Sequence, residues 1–173
     1  SYNKKMVEDY LYKITDDDNW EVREYAAGAL AETLRYNPGF YSTLKKWSRD
    51  KSENIRRGVV LAAVGLRDRK DPTTLNKAFA LLEPLLYDSS VYVKKNLGPF
   101  ILGSYFGNAF PKEMFQLIGE MVKVDNENVK WNAAMAFNNS FGSWYPAEAL
   151  KYLKILSKDE SRVVARAVRS TLN

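Results

Sequence analysis

The chain has 173 residues, enough for one domain with a well-buried core, and 46% hydrophobic against 27% charged residues is an ordinary balance for a soluble globular protein. Its net charge of +5 is uneven: residues 1–35 hold five cations against eight acids, and residues 36–173 hold 21 cations against 13 acids. Without Cys or His the chain has no disulfide, no thiol nucleophile, no Ser-His-Asp triad and no ordinary zinc site, and no apolar run approaches the ~20 residues of a membrane span.

The opening, Ser1-Tyr2-Asn3-Lys4-Lys5-Met6-Val7-Glu8-Asp9, is polar and soon acidic, without a signal-peptide pattern. It starts a helical stretch near 3–15. A second helix is expected over 19–36, where Ala26, Leu30 and Leu34 extend Val22 at helical spacing. Asn37 and Pro38 cap and open a third, over 38–49. Residues Asp50 to Ile55-Arg56 introduce a fourth, over 52–67, and its end carries Arg67, Arg69 and Lys70. Cations there complement the negative end of the helix dipole, or rim a groove. Asp71 and Pro72 open a helix over 72–87, and Asp88 to Val93-Lys94 introduce the next, over 90–106. Pro84 and Pro99 fall inside these two patterns and are expected to kink them. Pro111 opens 111–123, and Asp125 to Val129-Lys130 introduce 126–142, where Ala133 and Phe137 continue the apolar face. Asn138-Asn139-Ser140 reads as a C-terminal cap of that helix, or as a hydrogen-bonding patch for a ligand. Pro146 opens 146–157, and Asp159 to Val164 introduce 159–172. No strand alternation competes.

Two registers therefore interleave. The prolines at 38, 72, 111 and 146 are spaced 34, 39 and 35 apart, and the β-branched anchors Val22, Ile55, Val93, Val129 and Val164 are spaced 33, 38, 36 and 35 apart. Each anchor follows an acid and usually precedes a cation. Two helices per unit fit the offset between the registers, and the five anchors are expected in a shared core. The order acid, aliphatic, Arg, then Ala and Leu on one helix resembles the HEAT family. It implies an all-α fold, a right-handed α-solenoid of about five HEAT-like helix pairs, built as one domain over 1–173 with units near 1–36, 37–70, 71–108, 109–143 and 144–173.

Within that class, Trp47-Ser-Arg-Asp-Lys-Ser-Glu-Asn-Ile-Arg56-Arg57-Gly-Val-Val and Val91-Tyr92-Val93-Lys94-Lys95-Asn96-Leu97 look like the AlkD-like DNA alkylation repair family. That resemblance implies a basic concave face holding duplex DNA, and in active members a glycosylase that releases N3- and N7-alkylated purines with a carboxylate and nearby tryptophans. Such chemistry suits a chain without His. An alkylated purine is already cationic and leaves without a general acid, so a fixed carboxylate has only to stabilise charge developing on the sugar. The family's Trp and, four residues on, its carboxylate fall on Trp20 and Glu24, one helical turn apart. Its Arg ten residues after the segment's Trp falls on Arg57. The resemblance departs at the carboxylate, Glu in place of Asp, and at Pro99 and Leu102, which stand where the family has a further Trp and Arg.

Each of these residues has a structural reading beside the functional one. Trp20 packs on a neighbouring repeat and Glu24 is solvated, or the two form the catalytic pair. Arg56, Lys94 and Lys130, with Arg23, pair internally with Asp18, Asp50, Asp88 and Asp125, or hold phosphates. Arg57 and Lys95, each the second cation of its pair, are the better phosphate ligands. Trp131, Trp144, Tyr92 and Tyr105 are core aromatics or stack on bases. The sequence thus points to a cytoplasmic protein without cofactor or metal, whose partner is double-stranded DNA. The alternative is a non-enzymatic HEAT-repeat scaffold binding a protein on its concave face.

Overall fold

A computed structural model describes residues 2–67, 71 and 73–172. Pro72, Arg69 and Lys70 lie outside the described residues. All the regular structure described is helical, and no described helix is long and apolar enough to cross a membrane. The helices form an α-solenoid of successive pairs, in two compact units, residues 1–85 and 86–173.

In the first unit α1 (Tyr2–Thr15) is followed by α2 (Trp20–Tyr36), α3 (Tyr41–Trp47), α4 (Glu53–Ala62) and α5 (Thr73–Leu82). Pro38 does open the third helix, but through a 3-10 turn, Pro38–Phe40, and the Asn37 side chain makes no capping bond. Helix α4 continues as a 3-10 turn, Ala63–Leu66, lying against α2. The approach is close: a Cβ at Gly65 would stand 2.2 Å from the Ala31 carbonyl oxygen, so only glycine lets the two backbones meet there. Between α1 and α3, Trp47 meets the edges of Tyr12 and Phe40 at ring distances of 5.3 and 5.8 Å.

The second unit holds α6 (Val91–Asn96), α7 (Pro111–Met121), α8 (Glu127–Met135), α9 (Ser140–Trp144), α10 (Pro146–Leu156) and α11 (Arg162–Leu172). The prolines inside helical patterns act on winding. Pro84 sits in a 3-10 turn, Glu83–Tyr87, whereas Pro99 sits in a π-helical continuation of α6, Leu97–Gly107. The wider winding gives room to a ring that would otherwise strike the carbonyl four residues earlier. The expected helix over 126–142 is broken after Met135. Asn139 does not close it: the side-chain oxygen caps α9 by accepting from the Phe141 N–H at 2.9 Å, and Nδ2 donates to the carbonyls of Pro99 and Ala136 at 2.8 and 3.0 Å. The half-buried Phe115 and Tyr152 stack near parallel with the buried Phe137 and Phe141 in this unit.

The anchor register holds at four of five positions. Ile55, Val93, Val129 and Val164 are buried, each contributing about 1.5–3 kcal/mol over an exposed position. Val22 is only half-buried, and Ala26, Ala27, Leu30, Ala31 and Leu34 carry the core face of α2 instead.

Three acids of the register, Asp50, Asp88 and Asp159, and Asp17 in place of Asp18, share a local role. Asp17, Asp50, Asp88 and Asp159 each accept, through the side chain, the N–H of the residue two positions on, at 2.8–2.9 Å. That residue, Asn19, Ser52, Ser90 or Ser161, then caps the helix that follows. An acid, one spacer and a short polar cap therefore turn the chain and start each of these helices.

Candidate functional site

Trp20 opens α2 and Glu24 lies one turn on. Trp20 is 62% exposed, so it does not pack away on a neighbouring repeat. The Glu24 carboxylate accepts a hydrogen bond from Arg57 Nη2, reaching across from α4, and the two form an ion pair. The Arg57 side chain is almost wholly buried in that contact, with the residue 5% exposed. Of the three residues that the DNA-repair resemblance marks, Glu24 and Arg57 are thus bonded to each other and Trp20 stands one helical turn from Glu24. The rest of α2's exposed face is aromatic and acidic. Tyr25 is 83% exposed, Tyr36 is exposed, and Glu21 and Glu32 stand in solvent beside them. Only Arg35 adds a cation to this face, and its guanidinium pairs with Glu32 at 2.9 Å.

The remaining cations singled out from the sequence are mostly engaged within the fold. Arg56 donates to the backbone carbonyls of Asp50 and Lys51 at 2.8 and 2.9 Å. Arg23 does the same for Asp17 and Asp18, at 2.6 and 2.9 Å. These two guanidinium groups therefore bind the turn before their own helix. Lys94 is 8% exposed; Nζ donates to Asn128 Oδ1 at 2.9 Å and lies 4.9 Å above the Trp131 ring. Burial lowers its pKa, against the opposing pull of Glu127 and Asp88. Lys130 Nζ meets Asp159 Oδ2 at 2.5 Å and Asp125 at 3.9 Å, so here a cation of one repeat does meet an acid of the next. The Asp159 hydrogen bond raises the Lys130 pKa, and the same bond lowers that of Asp159. Lys95 alone of the five nominated cations points into solvent.

Among the aromatics, Tyr105 meets the edge of Phe106 at 5.3 Å, Trp131 lies under Lys94, and Trp144 is exposed. A cleft of about 750 Å³ opens in the first unit, lined by Leu34, Pro38, Tyr41, Leu66, Arg67 and Lys77 among others. Neither Trp20 nor Glu24 is among its described lining residues. The exposed Tyr25 and Glu32 were legible as helix-surface positions from the 3.6-residue period, since both lie off the Ala26–Leu30–Leu34 face.

The family of HEAT repeats matches residues 8–96, just over half of the chain. Among curated proteins none matches. Among solved structures, a designed armadillo repeat protein in complex with the peptide (KR)4 is 21% identical, with a TM-score of 0.42. The comparison covers 94% of this chain and 79% of that one. A computationally designed armadillo repeat protein for modular peptide recognition is 24% identical with a TM-score of 0.41, and a further designed armadillo repeat protein is 25% identical with a TM-score of 0.43. The coverage is again 94% of this chain and 79% of each of those.

Proposed function

The chain belongs to the HEAT-repeat family, and from that premise we propose that it is a non-enzymatic scaffold that holds a protein partner on the exposed face of α2. One observation carries the reading: Trp20, Tyr25 and Tyr36 stand in solvent among Glu21, Glu24 and Glu32 on a single helix. Exposed aromatic surface costs solubility unless a partner covers it, and Trp and Tyr are the residues on which interface energy concentrates. The carboxylates around them repel phosphate and select a partner segment that brings cations, which can also lie over the indole and phenol faces. The engaged state of Arg56, Arg57, Lys94 and Lys130 supports the same reading, because cations held in the fold release few counterions to a polyanion. We place this scaffold in the cytoplasm, in keeping with a chain without cysteine.

A second reading, a DNA-binding glycosylase of the alkylation repair type, is favoured by the proximity of Trp20, Glu24 and Arg57. It demands that Glu24 stabilise a sugar cation while its charge is already matched by a buried guanidinium. It also demands that duplex approach a face bearing Glu21 and Glu32.

The test is a photoreactive benzoylphenylalanine placed at position 25, irradiated in cells. The scaffold reading expects a discrete protein adduct whose yield falls at least tenfold with Trp20→Ser. An adduct to nucleic acid overturns it. So does release of methylated purine from alkylated DNA by the purified chain, in a Glu24-dependent reaction.

A further inference from the structure

Helix α11 carries three arginines and no acid over its 11 residues. Val164, Ala167 and Val168 are buried, and Arg162, Arg166 and Arg169 are exposed on the opposite side. At 3.6 residues per turn the three fall within about 60° of arc, at the centre of the solvent face. Among the described residues none of their guanidinium groups makes an ion pair or a side-chain hydrogen bond.

The stripe works against its own helix. Arg162 and Arg166 are a like-charged i, i+4 pair, and Arg166 and Arg169 a like-charged i, i+3 pair, and both kinds destabilise a helix. Arg162 also stands in the first turn, where the helix dipole is already positive and where α11 has no acid. The first turns of α2, α4 and α8 carry Glu21, Glu53 and Glu127 in that region. Solubility would be served as well by mixed signs, and no ion pair among the described residues offsets the repulsion. A local rule broken at three positions on one face marks a surface kept for something outside the fold.

We propose that this face of α11 docks an acidic amphipathic helix of a partner protein; the proposal rests on the protein-binding reading above and adds a second surface to it. The three arginines span about 10 Å of helix, the length over which a facing helix presents acids at i, i+4 and i+7. Each guanidinium fork matches a carboxylate with two parallel hydrogen bonds. Val163 and Leu172 stand exposed on either side of the stripe. They give a facing helix apolar contacts beside its acids, which a phosphate backbone has no groups to use, and so the observations favour a peptide over nucleic acid.

The experiment uses the full chain and a labelled synthetic helix of about 20 residues, with Glu at i, i+4 and i+7 flanked by Leu, read by fluorescence anisotropy. Wild type should bind it. Arg166→Glu should weaken binding at least tenfold, and a peptide with Lys for its central Glu should restore binding to that variant. Duplex DNA should not compete. Equal binding by wild type and an Arg162→Glu/Arg166→Glu variant overturns the proposal, as does a charge swap that restores nothing. Displacement of the peptide by duplex overturns it too and assigns the stripe to nucleic acid. Melting of Arg166→Glu guards against a trivial loss: the variant removes a repulsion, so its Tm should hold or rise, and a fall would make the stripe structural. The adduct at position 25 is read in the same variants. If it persists while the peptide fails to bind wild type, only the α11 proposal falls; if it is absent throughout, the protein-binding reading falls as well.

Discussion

Helices α2 and α11 are the second and the last of the chain, and they are built alike on the side that faces the protein. Each follows an aspartate that turns the chain, Asp17 or Asp159, and a capping residue two positions on, Asn19 or Ser161. Each buries small and branched residues: Ala26, Ala27, Leu30, Ala31 and Leu34 on α2, Val164, Ala167 and Val168 on α11. Their outward faces are opposite in character. One offers Trp20, Tyr25, Glu21 and Glu32; the other offers Arg162, Arg166 and Arg169. The difference teaches where the repeat constraint ends. Stacking dictates the cap and the core stripe of each helix, and leaves the solvent stripe free to carry the chemistry of a partner.

The shared half of this comparison breaks first and hardest. Val129 is 1% exposed and is the α8 counterpart of Val164. Val129→Asp places a carboxylate in the buried core, at a cost of about 4–5 kcal/mol, the top of the range for single substitutions. Domains of this size have about 5–15 kcal/mol to lose, so circular dichroism of the variant should show collapsed helicity or a greatly lowered Tm. A Val129→Asp protein that melts like wild type would mean that the anchor register is not the core register.

The next effect separates the α2 face from the interior beneath it. Glu24→Ala leaves the Arg57 guanidinium buried without its carboxylate. About 1–3 kcal/mol of stability should be lost, less than for a fully buried pair because Glu24 is itself half exposed. Arg57→Met, which removes the buried charge and keeps the volume, should cost less than Glu24→Ala. The order of the two midpoints in denaturant checks this. The reverse order would show that Arg57, and not Glu24, is the group the fold depends on.

The architecture was readable because it repeats. Pro111 and Pro146 open α7 and α10, and four of five anchors are core, since each follows from a spacing that recurs along the chain. Winding was less readable. Proline at 84 and at 99 gives the same letter, yet one helix tightens and the other widens, because the outcome depends on what packs alongside, such as Asn139 bonding to the Pro99 carbonyl. The site was the least readable. That Arg57 faces inward to Glu24 depends on the contact of α2 with α4, 33 residues apart in sequence, and no local pattern distinguishes it from Lys95, which faces water. The arginine stripe of α11 lay in plain view at i, i+4 and i+7, but its meaning rests on the lack of a partner among its neighbours, which only the fold displays.

The pair that ties α8 to the turn before α11 should appear in the pH dependence of stability. The Asp159 carboxyl is held below its ordinary value of 3.8, first by the Lys130 hydrogen bond and then by the Ser161 N–H. An acid whose pKa is lower in the folded state contributes stability that is complete above its unfolded value and is lost as the pH falls through its folded value. Lys130 is raised above 10.5, so its share is complete below that value and is lost only as the pH rises past the folded one. Between the two limits the pair's contribution is flat. Asp159→Asn should therefore cost about 1 kcal/mol at neutral pH, in the range of a pair near the surface. The gap from wild type should close as the pH falls below 3.8. A gap that persists unchanged into acid would assign the loss to packing rather than to the charge.

The smallest expected effect has the opposite sign and bears most directly on the contrast between the two faces. Arg162→Glu replaces a cation in the first turn of α11 by an acid, as Glu21 already stands in the first turn of α2. The dipole term reverses in the helix's favour, and the repulsive i, i+4 pair with Arg166 becomes an attractive Glu-to-Arg pair in its preferred order. Each change contributes a few tenths of a kcal/mol, for a net gain of about 0.5–1 kcal/mol at low salt. For a domain of this size that raises Tm by about 1–4 °C, and the gain should shrink as salt screens both terms. Arg162→Gln should gain about half as much, since it removes the repulsion without adding the attraction. If α11 is kept basic for a partner, the variant that is more stable alone should be the one that fails with the acidic helix, a stability gained at the expense of binding. A fall in Tm on Arg162→Glu would mean that the arginine holds something in the fold, and the contrast between an acidic-aromatic face and a basic one would no longer measure what the solvent stripes are free to do.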